Sequence, residues 1–238
     1  MMNLERYRRQ TLVPELGTQG QETLTKKHTI IIGGGGLGSN SANILIRTGI
    51  GHLSIIDDDL VDLTNLHRTA VFTEEDIGEP KAMVLEKRLK QVNTESTIHG
   101  ITKKLMKDNI STLLKGADIL VDGTDNLETR FLLNDYAVHN HIPWVYAGVY
   151  GTIGMVMSII PKKTPCLHCI CHVLPTPTNQ ENPVLGNIPV TIASIQTTEV
   201  IKILLNRAPS GLLIYDGWNH TLEELRIEQN PSCICCKS

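Results

Sequence analysis

The sequence predicts an α/β protein with a Rossmann-like, mostly parallel sheet, helices on both faces, and antiparallel strands added in the C-terminal half. Short β-branched runs alternate with helical patterns as far as Val149. A glycine-rich segment lies directly between the first predicted strand and the helix that follows it. After Thr152 the alternation gives way to extended runs and one apolar helix. Strand–helix alternation is typical of parallel sheets, because each helix connects two strands that run in the same direction.

Five β-branched or aromatic runs in the first half have the character of buried strands. They lie at residues 28–32, 53–56, 97–101, 118–121 and 143–149. Helices are predicted between them from apolar spacing, through Ile44 to Thr48, from Lys81 to Val92, over 108–114 and over 128–140. We expect a ligand to bind where the carboxyl ends of these parallel strands meet.

The second half has a different pattern of elements. Residues 155–160 are predicted to be extended, 175–189 to form a proline-rich loop, and 192–205 to form a largely apolar helix. The runs 212–215 and 222–227 are predicted to form a hairpin. These strands are therefore expected to continue the same sheet in antiparallel fashion.

Composition limits the class of protein. Hydrophobic residues make up 41% and charged residues 20% of the 238 residues, which is typical of a globular domain. The 22 basic and 25 acidic side chains give a formal net charge of −3, with no bias towards nucleic acid or membrane surfaces. We find neither a run of about 18 apolar residues nor the apolar segment of a signal peptide. We therefore expect a cytoplasmic protein with reduced cysteines.

The glycine-rich segment predicts a phosphate-binding loop. Gly33, Gly35 and Gly38 satisfy G-x-G-x-x-G between a strand and a helix, and Gly36 lies among them. Glycine lets the backbone approach a phosphate closely, and the helix N-terminus offers free N–H groups. Asp57 follows the second strand, where a carboxylate binds a ribose hydroxyl. The motif indicates a nucleotide but does not separate ATP from NAD.

Further polar motifs follow the strands in a fixed order. Taken singly, each has a simple structural interpretation: Asn65 as a turn cap, Pro80 as the start of a helix, and Asp125 as a helix N-cap. With the glycine loop, the series is R-Y-x-R-Q (6–10), G-x-G-G-L-G (33–38), D-x-D (57–59), N-L-x-R (65–68), G-x-P-K (78–81) and T-D-N (124–126). This series resembles the HesA/MoeB/ThiF family, whose members are bacterial and archaeal relatives of ubiquitin-activating enzymes. The resemblance covers nearly the whole chain.

The resemblance implies an enzyme that uses ATP and Mg²⁺ to adenylate a carboxylate. In this family the substrate is the C-terminal carboxylate of a ubiquitin-like sulfur-carrier protein ending in Gly-Gly, of the molybdopterin, thiamine or tRNA-thiolation type. Because two anions meet in this reaction, fixed positive charges and a metal ion lower its barrier. An adenylyltransferase is therefore the expected activity.

The resemblance also implies roles for the matched residues. Asp57 is expected to hold the ribose, while Asp125 binds Mg²⁺, which prefers oxygen ligands. Arg9 matches a residue that reaches into the neighbouring subunit's site, which implies a homodimer. The catalytic residues are expected to be Arg9, Arg68, Lys81 and Asp125, with Arg68 and Lys81 on the phosphates. The residues around the nucleotide are expected to be Gly33, Gly35, Gly36, Gly38, Asp57, Asp59, Asn65, Arg68, Lys81, Thr124 and Asp125.

Two C-x-x-C pairs predict a structural zinc site. They supply the four thiols of Cys166, Cys169, Cys233 and Cys236, and four thiolates in two such pairs suit tetrahedral Zn²⁺. A redox pair is the alternative, although two matching pairs favour metal. We expect Cys171 and Cys235 to be bystanders, while either of them, or His168 or His172, remains an alternative ligand.

Many relatives carry a further cysteine in the loop that crosses the ATP site. Here the corresponding place is near Asn179, and residues 175–189 contain no cysteine, which argues against a thioester or persulfide step. Cys171 is the less favoured alternative for such a step. By the resemblance, residues 1–238 form a single adenylation domain. It has a helical arm (1–27), a nucleotide-binding half (28–150) and a carrier-binding half with the crossover loop and zinc knuckles (151–238).

Three other functions stay open at this point. The chain is also compatible with adenylation of another carboxylate, such as a peptide C-terminus. An NAD-dependent oxidoreductase would use the same glycine loop, but it leaves Arg68, Lys81 and Asp125 without a linked role. A non-catalytic, nucleotide-controlled scaffold is opposed by the intact set of charged residues.

Overall fold

The computed structural model describes residues 4–171 and 183–236. Its centre is an eight-stranded sheet in the order β3-β2-β1-β4-β5-β6-β7-β8. The strands are β1 His28–Ile32, β2 His52–Ile56, β3 Thr97–Ile101, β4 Ile119–Asp122, β5 Trp144–Tyr150, β6 Ile153–Ile159, β7 Leu212–Asp216 and β8 Thr221–Leu225. Strands β1 to β5 pair in parallel, and β6 to β8 continue the sheet antiparallel. The predicted fold class is confirmed.

Helices cover both faces of this sheet. They are α1 Arg8–Thr11, α2 Gly17–Leu24, α3 Gly36–Thr48, α4 Lys81–Val92, α5 Ile110–Leu113, α6 Leu127–His139, α7 Leu167–Ile170 and α8 Asn187–Leu204. Short 3-10 turns lie at Leu4–Tyr7, Leu63–Arg68 and Glu74–Asp76. Within 4–171 and 183–236, no helix combines the length and the apolar character that crossing a membrane requires.

Alternation along β1 builds two separate hydrophobic layers, because successive side chains of a strand point to opposite faces. Ile31 belongs to the layer that contains the buried residues of α3, α4 and α8. Ile30 and Ile32 belong to the opposite layer, with residues of α5, α6 and α7. All three isoleucines are at most 2% exposed. A strand buried on both faces explains the continuous β-branched run at 28–32.

The sheet order places a crevice at the end of β1. Since β2 and β4 pair with opposite edges of β1, the connections that leave these strands diverge there. Ligands of open α/β sheets bind in such crevices, at the carboxyl ends of the strands.

Two predicted helices have bounds that differ from the structure by two residues or more. Helix α8 begins at Asn187, inside the predicted loop 175–189, and Pro189 lies in its first turn. A proline is tolerated there because first-turn N–H groups have no helical partner. Of that loop, residues 175–182 lie outside the described part of the chain. The predicted helix 108–114 is only the single turn Ile110–Leu113, because the Asn109 side chain bonds to the backbone of Lys104 and Met106 and holds a turn before it.

Candidate active site

A cleft of about 940 Å³ opens at the carboxyl ends of β1, β2 and β4. The predicted nucleotide-binding residues that line it are Gly33, Gly35, Gly36, Asp57, Asp59, Arg68, Lys81, Thr124 and Asp125. Gly38, Asn65 and Arg9 are not among its lining residues. The fold thus brings most of the predicted set to one place, although the motifs are spread over nearly 100 residues.

Two positions of the loop require glycine, one because of its backbone conformation and one because of close packing. Gly33 has a left-handed φ of +90°, which L-residues with a side chain rarely adopt. A Cβ at Gly38 would lie 1.8 Å from the Gly33 carbonyl oxygen, so only glycine allows the start of α3 to pack against the end of β1. At Gly35, by contrast, a Cβ would meet no atom within 4 Å. Gly38 therefore serves the close helix–strand contact, while Gly35 faces the open cleft.

We expect Gly38→Ala to destabilise the protein by about 1–3 kcal/mol or more, because the added methyl overlaps backbone that cannot move freely. Gly35→Ala, in the same loop, is the matched control, with an expected change within about 0.5 kcal/mol. Urea denaturation of both variants measures the difference. Equal midpoints for the two variants would contradict this account of Gly38.

The carboxylate of Asp57 holds the glycine loop against the end of β2. Its Oδ2 accepts the Gly34 N–H at 2.6 Å, and its Oδ1 accepts the Asp59 N–H at 2.8 Å. Asp57 is 8% exposed, and burial raises the pKa of its carboxyl, while the Gly34 N–H and the charge of Lys81 counteract this effect. Each carboxylate oxygen retains capacity for a further donor. The geometry is therefore compatible with the ribose contact predicted for Asp57.

Lys81 and Arg68 bring positive charge to the cleft from two directions. Lys81 is the first residue of α4, is 7% exposed, and its Nζ lies 2.8 Å from Asp59 Oδ2. Arg68 ends a 3-10 turn, and its carbonyl oxygen accepts the Asn40 side-chain amide of α3 at 2.9 Å. That bond ties the Arg68 backbone to the helix that starts in the glycine loop.

Asn65 caps a turn, which is the simple structural interpretation of its position in the sequence. Its Oδ1 accepts the Asp62 N–H at 3.1 Å, and Asp62 in turn accepts the Thr64 N–H at 2.8 Å, which together cap the 3-10 turn. Asn65 lines a smaller depression of about 480 Å³ that shares Asp59 and Lys81 with the cleft. Direct contact between Asn65 and a nucleotide stays a prediction.

Asp125 is exposed to the cleft and does not cap α6. The cap is Asn126, whose Oδ1 accepts the Thr129 N–H at 2.9 Å. The alternative interpretation of Asp125 as an N-cap is therefore wrong. Its carboxylate remains available for a ligand.

A buried ion pair that was not predicted from the sequence lies behind Asp125. Asp122, at the end of β4, is 0% exposed, and its Oδ2 lies 2.8 Å from Arg130 Nε. Arg130 is 9% exposed and lines the cleft. Burial alone would lower the pKa of Arg130, but the Asp122 carboxylate together with Tyr146 and Asp125 outweighs burial and raises the pKa, so the guanidinium stays charged. The available signal was a carboxylate that ends an apolar strand, followed by an arginine in the next helix.

Arg9 lies on α1 with an exposed side chain and is not among the residues that line the cleft of its own chain. The arm that carries it is anchored, because the Tyr7 hydroxyl accepts the buried Asn93 amide at 2.8 Å. A role for Arg9 in a neighbouring subunit stays a prediction.

The four predicted thiols converge at one point. The sulfur of Cys166 lies 4.0 Å from Cys169 and 3.6 Å from Cys233, and Cys169 lies 3.7 Å from Cys236. Zinc–sulfur bonds of about 2.3 Å in a tetrahedron place the sulfurs about 3.8 Å apart. The geometry therefore fits zinc and identifies Cys236 as the fourth member.

Burial raises the pKa of the Cys166 and Cys236 thiols. At Cys233, burial is outweighed by hydrogen bonds that include the N–H of Cys236, and the pKa is lowered. Four adjacent thiols cannot all ionise in a buried cluster unless a cation compensates their charge. A divalent metal ion supplies that compensation, and we regard the donor set as a fit for zinc.

The other cysteines and histidines near this cluster lie outside the four-thiol set. The Cys235 sulfur accepts the Asn134 amide at 3.3 Å, and His168 Nε2 lies 2.8 Å from Asp135 Oδ1. Cys171 is exposed. His172 and Asn179 lie outside the described residues.

Together, the sheet order, the glycine loop and the charged cleft above it define a protein of the Rossmann-like α/β class. A model of the ThiF family matches residues 7–235, and the chain belongs to the ThiF family. The predicted resemblance is confirmed.

Several relatives match along almost the whole chain. The sulfur carrier protein ThiS adenylyltransferase of Bacillus subtilis (strain 168) is 34% identical over 97% of this chain and 71% of its own length. The sulfur carrier protein adenylyltransferase of Thermus thermophilus is 34% identical over 98% of this chain and 90% of its own length. A crystal structure of E. coli MccB with MccA-N7isoASN has a TM-score of 0.88 at 23% identity, covering 98% of this chain and 75% of that one. At that identity, the MccB likeness supports the fold alone.

Proposed function

We propose that this chain is an adenylyltransferase that activates the C-terminal carboxylate of a ubiquitin-like sulfur-carrier protein with ATP. A carboxylate oxygen attacks the α-phosphorus, the acyl–phosphate anhydride bond forms, and the bond to pyrophosphate breaks. The observation that carries the proposal is the convergence of Arg68, Lys81 and Asp125 on one cleft above the glycine loop. The names of the relatives from Bacillus subtilis and Thermus thermophilus support the same activity.

In this proposal each group in the cleft has one task. The glycine loop and the N-terminus of α3 offer backbone N–H groups to phosphates. Arg68 and Lys81 neutralise phosphate charge, and Asp59 keeps Lys81 oriented within the cleft. Asp125 would hold Mg²⁺, which when bound stabilises negative charge on the phosphates. Asp57 would position the ribose.

The four-thiol cluster is assigned a structural role. It joins α7 to the segment that follows β8, and its four sulfurs leave no open coordination position for a substrate. A zinc ion there would fasten the end of the described chain to the sheet. In a homodimer, Arg9 would complete the partner's cleft.

The direct test is carrier-dependent exchange of labelled pyrophosphate into ATP. Each β-grasp protein of the same genome that ends in Gly-Gly is supplied as a substrate, with its counterpart lacking the last glycine as control. We expect exchange with at least one intact carrier and none with its truncated form, because the reacting carboxylate is then misplaced. Mass spectrometry of the carrier adenylate confirms the product.

Two other outcomes would replace the proposal. Exchange with short peptides but with no carrier would identify a peptide C-terminus as the substrate. Retention of NADH in place of ATP–Mg²⁺ would favour the oxidoreductase interpretation, against which the family membership stands.

A further inference from the structure

Asp125 has little to hold its side chain in place. It is exposed, and its Oδ1 accepts the Asn126 side-chain amide at a distance of 3.4 Å. A carboxylate that binds a metal well is normally oriented by neighbouring groups. The orientation of Asp125 must therefore come from the backbone on either side of it.

That backbone is fixed on both sides. The N–H and the Oγ1–H of Thr124 both donate to Asp122 Oδ1, at 2.9 and 2.7 Å. The Thr124 carbonyl oxygen accepts Arg130 Nη2 at 2.6 Å, so every polar group of Thr124 is engaged by the Asp122–Arg130 pair. On the other side, Asn126 is fixed as the cap of α6.

Arg130 also anchors the segment that contains Asp122 and Thr124 to the neighbouring strand β5. Its Nη2 donates to the Ala147 carbonyl oxygen of β5 at 3.0 Å, while its Nε donates to Asp122 at 2.8 Å. Its Cζ lies 5.2 Å from the centre of the Tyr146 ring. A planar guanidinium makes these contacts simultaneously, whereas a lysine ammonium is a single point of charge. The segment before Asp125 is thereby tied to β4 and β5 together.

Stability alone does not account for a charged pair at this depth. Desolvation of two buried charges offsets most of their attraction, and well-packed apolar residues of similar volume are often as stabilising. What apolar residues lack is the directed set of bonds to Thr124. The buried pair therefore contributes the fixed position of Thr124, which apolar residues could not provide.

We infer that Asp122 and Arg130 are positioning residues, which hold Thr124 so that the Asp125 carboxylate is presented to a metal ion in the cleft. The inference rests on the proposed role of Asp125 as a magnesium ligand. Neither residue is required to touch the nucleotide.

The test is Arg130→Lys, assayed by electron paramagnetic resonance of Mn²⁺ binding to the chain in the presence of a non-hydrolysable ATP analogue and without carrier. We expect Mn²⁺ affinity to fall by about 10- to 100-fold, as when partners that orient metal ligands are removed. Affinity for the analogue without metal should stay within about twofold. A purely structural role would lower the unfolding temperature and leave the Mn²⁺ affinity of the folded protein unchanged.

Arg88→Lys is the matched control, since Arg88 also bonds an aspartate, Asp76, but does not line the cleft.

Thr124→Val, which removes one bond to Asp122 and keeps the ion pair, tests the inference if Arg130→Lys does not fold. Unchanged Mn²⁺ affinity in the folded variants, or in Asp125→Ala, would overturn it. If wild-type protein binds Mn²⁺ with the analogue but no carrier is adenylated, the proposed function fails and the positioning inference stands.

Discussion

Replacing Cys236 by serine is expected to release the segment that follows β8 and to lower the stability of the protein by several kcal/mol. The described residues after Leu225 form no helix or strand, so that few backbone bonds hold them. Zinc binding to structural thiolate sites contributes about 10–16 kcal/mol in isolated zinc-finger peptides. Even a fraction of that energy is a large part of the stability of a typical domain.

Cys236 is the suitable position because it is the least buried of the four thiols, so the substitution disturbs packing least. Cys171→Ser is the matched control, since Cys171 is exposed and outside the cluster. Zinc content by atomic absorption, unfolding temperature, and the rate of proteolytic cleavage after residue 225 measure the effect. A wild-type protein that contains no zinc, or a Cys236→Ser variant as stable as the control, would remove the zinc assignment.

The elements of the sheet were predictable because buried parallel strands have a local signature. The runs at 28–32 and 97–101 match β1 and β3 in full. In β1 the β-branched side chains suit a strand covered on both faces. Strand β3 instead lies at the edge of the sheet, with Thr97 and His99 exposed. The four thiols were also predictable, because C-x-x-C spacing presents two sulfurs to one metal ion regardless of how the two pairs come together. Their convergence in space is confirmed by the fold.

The Asp122–Arg130 pair was not predicted because its meaning depends on burial and on contacts between separate elements. In sequence, Asp122 resembles any polar residue that ends a strand, and Arg130 any charge on a helix. Only the fold brings their bonds to Thr124 and Ala147 together. Gly38 is a different case: its motif was recognised in the sequence, whereas its close contact with the Gly33 carbonyl oxygen is visible only in the fold.

Removing the positive charge of Lys81 is expected to abolish most of the activity. In Lys81→Ala, carrier-dependent pyrophosphate–ATP exchange should fall by about 10²–10³-fold, the usual effect of losing one fixed donor at developing negative charge. Arg68→Ala and Asp125→Ala should each cause a loss of similar size, because each removes a different group from the same cleft. Full exchange activity in all three variants would refute the assigned roles.

The unfolding temperature of Lys81→Ala is measured together with its activity, because the charge of Lys81 also offsets the burial of the Asp57 carboxylate. Lys81 pairs with Asp59, whose side chain is 69% exposed, so the carboxylate left behind is solvated by water. Lys87→Ala removes the same charge from an exposed position of the same helix. Its stability should stay within about 0.5 kcal/mol of wild type, and its exchange activity should be that of wild type. Lys87 and Lys81 differ in where α4 directs their charge, so a loss confined to Lys81→Ala would locate the effect in the cleft. A loss of equal size in both variants would instead indicate that net charge, and not position, controls the reaction.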